Sequence, residues 1–275
     1  MAKSSDRSSK MFIIYFLRFI ARGLILLSAV YLYVFHRSMF ISVLTNEFFH
    51  RFTPLHVIWF ILMLGMIAHL LPNTKITMSG LKCQPVTYRE PEDGYDKLSL
   101  LEYVQAMNIR AWRVLLIWLC FNAVFGILCL SGIINNVELV MLSLCYYVCD
   151  LICMLFFCPF QKYMMGNRCC VNCRIFDWGH MMMYTPMIFI PGFFSWSLLF
   201  TALFVMIRWE LVYARHPERF WRGSNDSIRC ENCSDRMCRI KKPLVSEIDK
   251  IASSMPHPVD KLGISAEELD KEFEE

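Results

Sequence analysis

Six cysteines in two short clusters are the residues of this chain best suited to chemistry. Cys169, Cys170 and Cys173 form a CCxxC run, and Cys230, Cys233 and Cys238 form CxxCxxxxC. A pair of CxxC units is how a chain presents four thiolates to one tetrahedral zinc ion or to an iron–sulfur cluster. The simplest set is Cys170, Cys173, Cys230 and Cys233, with Cys169 and Cys238 as spares or alternative ligands. Arg168 and Arg174 bracket the first cluster, and Arg229 and Arg239 bracket the second. Those four cations would offset the negative charge of a thiolate centre. The spacing does not name the metal: four-cysteine zinc ties loops together, whereas an iron–sulfur centre exchanges electrons.

A second set of ionisable residues stands inside apolar runs. Asp150 lies about 11 Å from the nearer end of its segment at the helical rise, and a lone carboxylate at that depth faces the bundle interior with a partner. Arg18 and Arg22 are four residues apart and share one helix face, at depths of ~10 and ~16 Å that bracket Asp150. The expectation is an Asp150 pair with Arg18 or Arg22. His69 and His180 are placed at similar depth near the same side, as a bis-histidine haem requires. His36, His50 and His56 belong near the other side. Cys145, Cys149 and Cys153 repeat every four residues and read as helix packing, because a free cysteine behaves as a small hydrophobe. Asn122 reads as an interhelical hydrogen-bonding residue, and Met181-Met182-Met183-Tyr184 as apolar helix surface.

The elements that must position these residues are membrane helices. Of 275 residues, 56% are hydrophobic and 19% charged, against about 25% charged in a soluble domain. Apolar runs of roughly 20 residues, enough to cross a bilayer as a helix, occupy 11–35, 54–72, 111–131 and 138–157. A longer stretch, 175–214, contains Pro191-Gly192, a turn signal that divides it into 175–190 and 193–214. The fold expected is all-α: a polytopic membrane protein of about six hydrophobic segments with a cysteine-knuckle metal site on its cytoplasmic face. Arg18 and Arg22 interrupt the first run, which reads as a retained helix rather than a cleaved signal.

Lys and Arg collect on the cytoplasmic side of short loops. The N-terminus, the loop 73–110 and the link 158–174 are basic, whereas the turn 131–137 carries no positive charge. Both termini are therefore expected in the cytoplasm, in the plasma membrane or, in a bacterium, the inner membrane. Arg37 and Arg51 run against this rule in 36–53. The chain divides into a helical bundle over 1–214, a Cys-rich segment over 215–240 that pairs with 168–174, and a polar tail over 241–275. Capping-box patterns at Ser99–Glu102 and Ser265–Glu268 mark two helix starts.

No basic, aromatic-interleaved surface suggests nucleic acid, and no P-loop, HExxH, GxSxG or GxGxxG pattern is present. With the lipid bilayer as surroundings, three readings follow. The first is electron transfer between the cysteine centre and a quinone or redox partner protein. The second is a non-enzymatic scaffold or assembly factor locked by zinc. The third is a small-solute or ion transporter whose path is lined by Asp150 and the two arginines.

Overall fold

Apolar helices dominate the molecule because a chain that cannot hydrogen-bond to lipid must satisfy its own backbone. The computed structural model describes residues 5–44, 52–70, 85–167, 173–229 and 231–232, and no strand occurs among them. Its helices are α1 (Ser5–Phe35), α2 (Arg37–Leu44), α3 (Pro54–Leu70), α4 (Lys97–Leu130), α5 (Asn136–Leu155), α6 (Gly179–Tyr184) and α7 (Phe193–Arg215). Four of them, α1, α4, α5 and α7, are long and apolar enough to cross a membrane. Leu24, Leu27, Trp112, Ile127, Phe200 and Phe204 are exposed on their outer faces, the surface that an integral membrane protein presents to lipid.

Of the six hydrophobic segments expected, four are helices long and apolar enough to span among the described residues. Besides the four long helices there are two shorter apolar pieces. Helix α3 has 17 residues, and the stretch expected as a helix over 175–190 is broken into a 3-10 turn at Phe176–Trp178, the short α6, and a second 3-10 turn at Thr185–Phe189. Pro186 explains the break, since it has no N–H to donate and disfavours helical geometry in the residue before it. Met181, Met183, Tyr184, Thr185 and Pro186 are all buried, so the MMMY run is core rather than outer helix surface. Non-helical backbone at membrane depth survives where protein covers it, and α4, α5 and α7 do so here.

Helix α1 packs against α5, and α3 against α7. Tyr15 shares an apolar cluster with Leu151, Leu155 and Ile228, while Tyr33 near the other end of α1 donates to Glu138 at 2.9 Å; the two helices are antiparallel. His56 and Trp59 meet Phe194 at the start of α7, and Met66 meets the Leu198–Ala202–Val205 face, so α3 and α7 run in the same direction. The turn expected at Pro191-Gly192 is there, with Gly192 at φ 152°, a backbone conformation that glycine adopts without strain.

The helix starts differ in part from expectation. Asp96 caps α4, accepting from Leu98 N at 3.2 Å and Ser99 N at 2.9 Å. The helix therefore begins at Lys97, ahead of the Ser99–Glu102 pattern, because the Asp96 carboxylate also takes the Ser99 hydroxyl at 2.8 Å. Its 34 residues extend about 50 Å, beyond the roughly 30 Å hydrocarbon core. At the start of α5, Glu138 reaches back to Asn135 N at 2.8 Å and also accepts from Arg37 at 3.2 Å. Arg37 is thus a paired cation rather than a free basic loop residue.

Candidate functional site

Cys173 and the run up to Arg229 lie at the same end of the bundle, the end that holds Phe176, Ile228 and the segment before α4. Of the six candidate ligands only Cys173 falls within the described residues; Cys169, Cys170, Cys230, Cys233 and Cys238 lie outside them, as does the tail 241–275. Cys173 is buried in a cluster with Ile175, Trp178, Trp209, Tyr213 and Phe220, and its carbonyl accepts from Phe176 N at 3.4 Å. The second knuckle is approached by a compact run of turns, Pro217–Phe220 and Asp226–Ile228. Asn225, fully buried, donates to Arg219 O at 2.8 Å and accepts from Ser227 N at 3.1 Å. Asp226 N donates to Arg89 O at 2.8 Å, tying this run to the segment before α4.

Phe176 links the two approaches. It packs against the cluster that contains Cys173 and Phe220 and against the cluster that contains Leu151, Leu155 and Ile228. It lies three residues after Cys173, and Ile228 lies two before Cys230. A shared aromatic contact therefore joins the segment after Cys173 to the segment that ends at Arg229. Among the described residues no group of three or more His, Cys, Asp or Glu side chains is arranged to hold a metal ion.

The flanking arginines do something other than expected. Arg174 is buried and forms a two-pronged pair with Glu210, one arm at 2.7 Å to Oε1 and the other to Oε2. Trp178 Nε1 donates to the same Oε1 at 2.7 Å, Trp209 Nε1 donates to the Arg174 carbonyl at 2.8 Å, and the guanidinium lies 3.6 Å from the Tyr213 ring centre. Its charge is therefore met by Glu210. Arg229 likewise pairs with Asp226 at 2.9 Å. Glu210 and Asp177 were not singled out from sequence. The available signal was an acidic residue inside an apolar helix, which in Glu210 stands near enough to the helix end to pass as a boundary.

Within the bundle, Arg22 Nη1 donates to Asp150 Oδ2 at 2.9 Å and to the Tyr147 carbonyl at 2.8 Å, with its guanidinium 3.9 Å from the Tyr147 ring centre. Arg18 is instead exposed, over the Tyr15 ring at 5.4 Å. A Cβ at Gly179 would stand 2.7 Å from Asp150 Oδ1, so only glycine lets this carboxylate approach the backbone there. Asn122 is buried, donates to Trp118 O at 2.9 Å and accepts from Tyr146 OH at 3.4 Å, an α4–α5 link of the expected kind. Cys145 and Cys149 are exposed. They correct the packing expectation, because the buried face of α5 is Leu139, Ser143, Val148, Leu151 and Leu155.

His69 and His180 do come together, with ring centroids 4.6 Å apart and planes at 86°. A bis-histidine haem needs a macrocycle between two rings whose nitrogens point at one iron. In this arrangement the two rings are in edge-to-face contact with each other. Comparison with known proteins finds no matching family model, no matching curated protein and no matching solved structure.

Proposed function

We propose that the chain is an integral membrane scaffold or assembly factor whose cytoplasmic face is locked by a zinc ion held by thiolates of both knuckles. The ligands are drawn from Cys169, Cys170, Cys173, Cys230, Cys233 and Cys238. The observation that supports this reading is the Phe176 contact, which joins the segment after Cys173 to the segment that runs toward Cys230 in sequence. Four thiolates from two loops held at one place suit a closed structural zinc site. The hydrogen bonds of Asn225 and Asp226 and the Arg174–Glu210 pair supply the rigid frame that such a site needs.

Electron transfer through an iron–sulfur centre to a quinone or partner protein is the second reading. It is favoured by the burial of Cys173 among Trp178, Trp209 and Tyr213, a setting of low polarity that tunes cluster potentials. Metal content and an absorption spectrum of the anaerobically purified full chain, with C170S and C233S beside it, decide between the two. Stoichiometric zinc lost in both variants is the expected result. Iron with labile sulfide lost in both would replace the scaffold by the redox reading, and no metal at all would overturn the shared premise.

A further inference from the structure

The two histidines belong to a part-buried chain of ionisable groups contributed by five elements, α1, α3, α5, α6 and the Phe176–Trp178 turn. Arg22 of α1 is met by Asp150 of α5. The other oxygen of Asp150 lies against Gly179, the residue before His180. His180 meets His69, in the last turn of α3, edge to face, and His69 Nδ1 lies 3.9 Å from Asp177 Oδ1. The Nδ1 atoms of both imidazoles are buried and have no hydrogen-bond partner among the described residues. A neutral imidazole has one N–H and one lone pair to satisfy, and ionisable groups at membrane depth mark ion or proton paths by default.

We propose that His69 and His180 form a single proton-binding site within the membrane, taking up one proton between two imidazoles beside Asp177. The edge-to-face geometry does not aim both rings at one metal ion. Two imidazolium charges at this separation would repel strongly in a medium of low polarity, so the pair accepts one proton and not two. The charge gained then sits in ion-pair range of Asp177. The other charged groups that act on the pair are Arg18 and Arg22 from α1 and Asp150 from α5. Arg22 is engaged by Asp150 and the Tyr147 carbonyl, so its own repulsion of a new cation is partly cancelled. His69, with its side chain 21% exposed, is the entry point, and His180 is the inner member. A protein with such a site couples its conformation or its cargo to protons. The proposal does not rest on the metal centre.

The test is a titration of the full chain in lipid nanodiscs, with isotope-labelled histidine read by nitrogen NMR from about pH 2 to pH 9. H69Q and H180Q assign the two resonances. The expected result is that both titrate together with a total uptake of one proton, and that D177N moves their midpoint down by at least about one pH unit, a tenfold loss of proton affinity. Uptake of two protons, uptake of none over this range, or a midpoint unmoved in D177N would overturn the proposal. If either glutamine variant fails to fold, the pair is identified among the chain's seven histidines as the resonances whose midpoint moves in D177N, and the absence of any such resonance overturns the proposal.

Discussion

Replacing Asp150 by leucine removes the anion that Arg22 faces inside the bundle. The two side chains are 16% and 24% exposed, so neither charge is fully hydrated. At a charge separation near 4 Å and an effective dielectric of about 20, the attraction is about 4 kcal/mol. Breaking a buried pair by deleting one partner costs roughly 3–5 kcal/mol, chiefly because the other charge is left unmatched. Arg22 keeps the Tyr147 carbonyl at 2.8 Å and the Tyr147 ring at 3.9 Å. That places D150L at the low end, about 3 kcal/mol. D150N retains an acceptor oxygen without the charge and should lose about 1–2 kcal/mol. The double variant R22M/D150L leaves neither charge behind and should return to within about 1 kcal/mol of the original chain, as apolar replacements of buried pairs often do. Equilibrium unfolding in mixed micelles, followed by circular dichroism, gives all four values. If R22M and D150L simply add, with coupling below about 0.5 kcal/mol, the pair does not hold α1 to α5 and the reasoning fails.

Gly126 of α4 faces the tip of Phe189, and a Cβ there would lie 2.1 Å from the ring's Cζ. Carbon contacts relax near 3.5–4.0 Å, so the ring must move by roughly 1.5 Å, and G126A should cost about 1–3 kcal/mol; G126A/F189L should regain most of it, and no recovery would show that the broken segment is not seated by this contact. The Ser99 N–H, then the Ser99 hydroxyl and the Leu98 N–H, hold the Asp96 carboxyl below its ordinary range. A carboxyl depressed in the folded state contributes fully above its unfolded value, near pH 4, and loses that contribution as pH falls through the folded value. Thermal midpoints of D96A and the original chain should therefore differ at neutral pH and converge in acid, and a gap that persists unchanged at low pH would contradict the cap.

Charge inside an apolar run is the feature of this fold most legible in sequence, because so few groups at that depth can answer it. Asp150 had two cationic candidates on one helix face, and Arg22 is the one that reaches it; spacing alone could not choose between residues a single turn apart. The Pro191-Gly192 turn was legible for a similar reason, since few residues allow that backbone. The inner course of Phe176–Phe189 was not. Its length and apolarity fit a helix, and whether Pro186 bends or breaks a helix depends on what covers the freed backbone, here α4, α5 and α7. At α4 the Ser99–Glu102 pattern lay three residues too late, because the Asp96 carboxylate gains three donors and starts the helix first.

Pairing between distant elements is where sequence reasoning went furthest astray. An arginine beside a cysteine compensates thiolate charge only if no carboxylate reaches it first. Glu210 reaches Arg174 from a helix 36 positions away, with Trp178 and Trp209 fixing both partners, and Asp226 reaches Arg229 from three. Two of the four arginines beside the cysteine clusters, Arg174 and Arg229, are thus met by carboxylates. Were thiolates of the two clusters to hold a metal, the charge of that centre would be met by the metal itself or by groups beyond these two arginines.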